Sequence, residues 1–169
     1  MVSRKYLILL SLSGFVVALD QLTKNAVVAD LKLGETFPVI DGLFSISRVH
    51  NTGAAFGLLA TLPAHLRDPF FLLLPGLTLA VILGVFYKLR EAQSLSVYAL
   101  ASIVGGALGN IADRVRLGYV VDFLDFHWNY RWHFPAFNVA DAAISLGVFM
   151  LLLGMLYERE GDEPGRMVA

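Results

Sequence analysis

Cysteine is absent from the 169 residues. That excludes disulfides, thiolate metal sites and a cysteine nucleophile together, and it leaves the chain no thiol on which to carry a lipid of its own. Charge is also scarce, at 16% of residues against 57% hydrophobic, with a mean hydropathy of +0.66. A soluble domain of this length has room for one core but needs a charged surface to meet water. Here the few charges gather between long apolar runs, the pattern of a chain solvated by lipid. The net charge of -1 gives no sign of nucleic acid or of an acidic partner. Arg4 and Lys5 followed by Tyr6–Leu19 resemble the start of a secretory signal, yet no small-x-small cleavage site follows. The segment runs on into Asp20–Gln21–Leu22–Thr23–Lys24 and reads as an uncleaved first span. There is no internal repeat or low-complexity tract, and the polar tail after Tyr157 is expected to fray.

Four stretches are long enough to cross ~30 Å of hydrocarbon at ~1.5 Å per residue. They run over about 6–28, 70–87, 94–112 and 137–157. Pro75 and Gly76 are placed to bend the short second one. Arg4 and Lys5 precede the first span, Lys88 and Arg90 link the second and third, and Arg159 and Arg166 follow the fourth. The bias of lysine and arginine to the cytoplasmic side puts these three segments, and both termini, there. Outer loops then cover about 29–69 and 113–136, and residues 1–169 form a single membrane domain.

The first outer loop is too long for a simple connection. Its stretch from Phe37 to Val49 is rich in β-formers with turn residues between, which predicts a small antiparallel sheet ending at the turn signal Asn51–Thr52–Gly53. The second is aromatic, with Phe123, Phe126, Trp128, Tyr130, Trp132 and Phe134. Such residues favour the headgroup region, so an interfacial loop or short helix lying on the membrane lipid is expected. The fold class is thus membrane all-α, four spans with a small extracytoplasmic sheet.

Depth sorts the intramembrane polar residues. Counted from the cytoplasmic ends, Asp20 lies roughly 21 Å up its helix, Asn110 about 22 Å and Asp141 about 24 Å. Polar groups in hydrocarbon are costly and point to function, and three helices place one in the same layer of the outer leaflet. Asp20 and Lys24 stand at i,i+4 with the acid first, the favourable order for an ion pair, and read as an orienting pair. Asn110 and Arg114 share a face, fitting either an interhelical hydrogen bond or substrate contact. Gly105, Gly106 and Gly109 let a neighbour approach the third helix closely. Asn138 and Asp141 are i,i+3 at the start of the fourth, where the helix N-terminus favours an ionised carboxylate. Asp113 and Asp125 read as solvated or paired loop residues.

Two adjacent carboxylates that share one proton can activate water without metal or covalent intermediate. Asp141 is one member on depth alone; position does not choose among Asp113, Asp122 and Asp125 for the other. His127 and His133 could ligate a metal with Asp122 or Asp125, but H-x5-H is unspecific and no H-E-x-x-H is present. A serine–lysine pair of Ser45 or Ser47 with Lys24 has no supporting motif. Ion or proton transport also uses aligned intramembrane charge, though four short spans without inverted repeats suit it poorly.

Five segments in order resemble one family. They are Asp20–Gln21–Leu22–Thr23–Lys24, Asn51–Thr52–Gly53–Ala54–Ala55–Phe56, Gly105 to Arg114, Val120–Val121–Asp122–Phe123, and Phe134 to Asp141. Together they are similar to the bacterial lipoprotein signal peptidases, signal peptidase II, over nearly the whole chain. The G-x-G-D signature of presenilin-like proteases is absent. The resemblance implies an aspartic endopeptidase of the bacterial inner membrane whose catalytic pair is Asp122 and Asp141, facing the periplasmic leaflet. It implies that Asn51, Gly53, Asn110, Arg114, Asn138 and Ala140 border the substrate site, with Asp20 and Lys24 in support, and that no cofactor or metal is used. Family members cut diacylglyceryl-modified prolipoproteins just before the lipidated cysteine, after that lipid has been added, and the antibiotic globomycin blocks them.

Overall fold

The structure is a computed structural model and describes residues 3–53, 63–90 and 93–160. Ala54, Ala55 and Phe56 of the Asn51–Phe56 stretch, together with Arg166 and the rest of the tail from 161, lie outside the described residues. In chain order the elements are α1 (Arg4–Asp30), β1 (Thr36–Ile40), β2 (Phe44–Asn51), α2 (Ala64–Lys88), α3 (Ser94–Leu117), β3 (Val120–Trp128), β4 (Trp132–His133) and α4 (Val139–Glu160). Among the described residues, three helical stretches are long and apolar enough to cross a membrane: Arg4–Asp30, Pro69–Lys88 and Ser94–Leu117. The apolar stretch of α4, Val139–Met155, is shorter.

The third helix is the centre of the bundle, touching α1, α2, α4 and β3. Its glycines make this possible. A Cβ on Gly105 would stand 2.7 Å from the Val16 Cβ of α1, and one on Gly106 would strike the Ala140 carbonyl of α4. Lys5 of α1 reaches the last turn of α2, where its Nζ donates to the carbonyls of Tyr87 at 2.9 Å and Leu89 at 2.8 Å. Carbonyls at a helix C-terminus run out of intrahelical donors, and a cation suits the negative end of the helix. The bond fixes the start of α1 and the end of α2 at the same end of the bundle. At the other end, Arg48 of β2 does the same for α1, donating to the carbonyls of Val28 at 3.2 Å and Leu31 at 2.9 Å.

Helix limits differ from the sequence expectation in ways that matter for the site. The third helix continues to Leu117 instead of ending at 112, so Asp113 and Arg114 are helical, not loop residues. Arg114 and Arg116 suit its last turn, and Gly118 supplies the left-handed residue that stops it, with φ +80 and its N–H on the Arg114 carbonyl. The second helix starts at Ala64, after Pro63 at the N-cap, and carries Pro69 and Pro75 inside it. The fourth starts at Val139, which leaves Phe137 to pair with Leu124 of β3.

The sheet needs a larger correction. The second outer segment is neither an irregular loop nor a short helix; it supplies β3 and β4 of an antiparallel sheet ordered β1-β2-β3-β4. Its alternation is inverted relative to a soluble sheet. Ser45 pairs with Asp125, and both are buried with Ser47 and His127. The opposite face carries Phe37 opposite Ile46, Ile46 opposite Leu124 and Phe44 opposite Phe126. Phe44 and Phe126 have ring centroids 4.7 Å apart, yet Phe37 and Phe126 remain exposed along with Trp128, Trp132 and Phe134. Over Ser45–Ser47 and Asp125–Trp128 polar side chains turn inward and aromatic ones outward, as expected where the outer solvent is an apolar interface, whereas Val120, Val121 and Phe123 at the start of β3 are buried.

Candidate active site

The start of α4 organises the site. Asn138 is its N-cap: the Asn138 Oδ1 accepts the Asp141 backbone N–H at 2.9 Å, and Asp141 Oδ2 accepts the Asn138 backbone N–H at 3.2 Å. This reciprocal capping box, with Asn and Asp in place of the usual Ser and Glu, fixes the Asp141 carboxylate by the same bonds that begin the helix. A third orphan N–H, that of Ala140, is satisfied from another helix by Asp20 Oδ1 at 3.0 Å.

Asp20 is fully buried. Gly109 of α3 passes so close that a Cβ there would lie 2.6 Å from Asp20 Oδ2. Lys24 balances the charge and spends all three of its donors: on Asp20 Oδ2 at 2.9 Å, on Asp113 Oδ2 at 3.0 Å and on Asn110 Oδ1 at 2.9 Å. The last contact decides which way the Asn110 amide points. An ammonium can only donate, so Asn110 turns its oxygen to Lys24 and its Nδ2 to Asp141 Oδ1, at 2.8 Å.

Asp122, 2% exposed, sits in β3 opposite Val49. Its Oδ1 accepts from Asn138 Nδ2 at 2.6 Å and its Oδ2 from Asn51 Nδ2 at 3.0 Å. Both amides are again pinned at their oxygens, Asn138 by the Asp141 N–H and Asn51 by the Gly53 N–H at 3.1 Å. Three asparagines therefore aim their NH2 groups at two carboxylates, and Asn138 touches both. Burial above all, then the Asp141 carboxylate, pushes Asp122 up to about 6; the Asn51 and Asn138 hydrogen bonds and Lys24 hold it from rising further. A carboxyl group so placed exchanges protons near neutral pH, which acid–base chemistry requires.

The remaining residues fall as follows. Arg114 lies with its guanidinium 6.0 Å from the Phe71 ring centre and 3.5 Å from the Asn110 carbonyl oxygen. Ala140 is fully buried, its side chain facing Gly109, so it serves the close approach of α3 and α4 and does not line open space. His127 and His133 are engaged in the sheet, with His127 Nε2 2.9 Å from Ser45 Oγ and His133 Nδ1 2.9 Å from Asp125 Oδ1. Among the described residues no group of three or more histidine or acidic side chains is arranged to hold a metal ion. Asp113 and Gln21 are members that sequence reasoning missed. Asp113 is 2% exposed. Besides Lys24 it accepts Gln21 Nε2 at 2.8 Å and the Val121 backbone N–H at 3.1 Å. Its i,i+3 spacing from Asn110, with Gly118 as the helix stop, was the available signal.

The chain is similar to known proteins over most of its length. The family model described as signal peptidase (SPase) II matches residues 12–157. The lipoprotein signal peptidase of Syntrophotalea carbinolica is 48% identical over 149 residues, covering 88% of this chain and 91% of that one. That of Geobacter sulfurreducens is 50% identical over 146 residues, covering 86% and 89%. A solved bacterial membrane enzyme superposes with a TM-score of 0.76 at 30% identity, covering 95% of this chain and 94% of its own. A match spanning both the helical bundle and every segment that holds the two carboxylates leaves one assignment: the chain belongs to the signal peptidase II family.

Proposed function

We propose that this chain removes the signal peptide from diacylglyceryl-modified prolipoproteins, cutting before the lipidated cysteine as an aspartic endopeptidase with Asp122 and Asp141 as the reacting pair. The observation that carries the reading is the pair itself, Asp122 buried and Asp141 partly buried, bridged by Asn138 and supplied with one amide donor per carboxylate by Asn110 and Asn51. Two such groups hold one proton between them, and their titration belongs to the pair. The charged member takes a proton from water, whose oxygen attacks the scissile carbonyl carbon. The protonated member donates a hydrogen bond to the carbonyl oxygen, and the tetrahedral intermediate collapses as the carboxyl that took the water proton passes it to the departing cysteine nitrogen.

The same reading places residues 1–169 as one domain with four spans, in the bacterial inner membrane, with both termini cytoplasmic and the pair toward the outer leaflet. Lys5, Lys88 and Arg90 cluster at the opposite end of the bundle from Asp122, in keeping with the positive-inside bias. The outward aromatic face of the sheet suits the headgroup layer, where a diacylglyceryl anchor would hold the cysteine. Asn51, Gly53, Asn110, Arg114 and Asn138 border the substrate, Asp20 and Lys24 brace them, and globomycin-type inhibitors compete there.

Cleavage of a lipidated precursor in 18O-labelled water tests the chemistry. One 18O should enter the new carboxylate of the released signal peptide, chelators should leave the rate unchanged, and the unlipidated precursor should stay intact. Cleavage that depends on added metal, or no cleavage of the lipidated precursor, would overturn the proposal.

A further inference from the structure

We propose that Asp113 is a positioning residue of this site, setting the height of Asp122 through the Val121 peptide and sharing Lys24 with Asn110. The inference rests on Asp122 and Asp141 being the reacting pair, and Asp113 acts on them only through its neighbours. Asn110 and Asp113 are one turn apart on the same face of α3, about 4.5 Å along the axis. Asn110 ends on Asp141, and Asp113 ends on the N–H of the residue just before Asp122. The Val121 carbonyl is held in turn by Asn138 Nδ2 at 3.3 Å, the nitrogen that also donates to Asp122. Val121 is thus held at its N–H by α3 and at its carbonyl by the start of α4, which sets the height of β3 against α3. Lys24 ties the two rungs together, 2.9 Å from Asn110 Oδ1 and 3.0 Å from Asp113 Oδ2.

An amide at this position cannot do the same work. Asp113 Oδ2 serves both Lys24 and Val121 while Oδ1 serves Gln21. Asparagine has one acceptor oxygen, so its NH2 must face a donor whichever way it turns. A misplacement near 1 Å costs about 10²-fold in rate. The charged and titratable groups around Asp113 are Asp20 and Lys24 from α1, Arg114 beside it on α3, Asp122 from β3 and Asp141 from α4. Removing the Asp113 charge leaves Lys24 less balanced, and its field then lowers the acid limb governed by Asp122.

The test compares purified full-length Asp113→Asn and Asp113→Glu with wild type, on lipidated precursor. Asp113→Asn should lose kcat about 10²-fold with KM within about threefold, and its kcat/KM profile should shift to lower pH. Asp113→Glu keeps the charge but overreaches Val121, so kcat should fall about tenfold with the acid limb in place; it also stands in should the asparagine variant not fold. Wild-type kcat in both variants, or losses that follow the folded fraction with an unmoved profile, would overturn the role. Asp122→Asn, run alongside, separates the outcomes: retained activity there would reject the reacting pair itself.

Discussion

Asp122→Asn should stabilise the protein progressively as pH rises, because the native site holds this carboxyl in an unfavourable ionised state. Burial and the neighbouring Asp141 raise it from 3.8 to about 6. A group whose folded value is raised binds its proton more tightly in the native state. Its stabilising contribution is complete below 3.8 and is lost as pH climbs through about 6. At ~1.4 kcal/mol per pH unit, that rise corresponds to about 3 kcal/mol, or roughly 6–12 °C in melting temperature for a chain of this size. Asparagine does not titrate, so it escapes this loss. It does carry a fixed cost, since its NH2 must face the donating nitrogen of either Asn51 or Asn138, worth about 1–3 kcal/mol at any pH. The informative quantity is therefore a double difference, the melting temperature of the variant minus wild type, taken in detergent at about pH 4 and about pH 8. It should grow by roughly 6–12 °C between the two. A flat or opposite trend would refute the buried, charge-coupled environment assigned to Asp122.

Two further substitutions probe the scaffold. Lys5→Met removes the ammonium that donates to the Tyr87 and Leu89 carbonyls while keeping most of the volume. It should cost about 2 kcal/mol in a thermal melt and leave the cleavage rate per folded molecule unchanged, since those carbonyls lie at the far end of the bundle. Gly106→Ala forces a Cβ against the Ala140 carbonyl and within 2.7 Å of Ile144, which should cost about 1–3 kcal/mol and lower kcat by displacing the start of α4. Gly84→Ala is its control, with nothing within 4 Å of the new atom and a neutral or slightly stabilising melt expected from helix propensity.

Asp141 is legible in the sequence because membrane depth and helix position both single it out, and its i,i+3 spacing from Asn138 is the capping box that fixes it. Asn110 and the Asp20–Lys24 pair are visible for the same reason: charge in hydrocarbon is rare. Asp122 is not legible in this way. It is buried between Val121 and Phe123 in β3, where two-residue alternation puts it in step with the exposed Phe126 and Trp128, so strand periodicity misleads, and only the family resemblance chooses it over Asp125. The aromatic run around it reads as an interfacial loop, although Asp125 and His127 alternate with Phe126 and Trp128 at strand spacing. Asp113 is lost to a single boundary. Ending α3 at 112 puts it in solvent, whereas the arginines and Gly118 carry the helix one turn further and bury it between Lys24 and Val121.

The central claim is that two particular carboxylates break the bond. Wild type, Asp122→Asn and Asp141→Asn, each shown to be folded by its melting transition, should be given the same lipidated precursor and followed by the mass of the released signal peptide. Wild type should release it, and each variant should be slower by at least about 10³-fold at comparable KM. Near-wild-type release by either variant would contradict the claim.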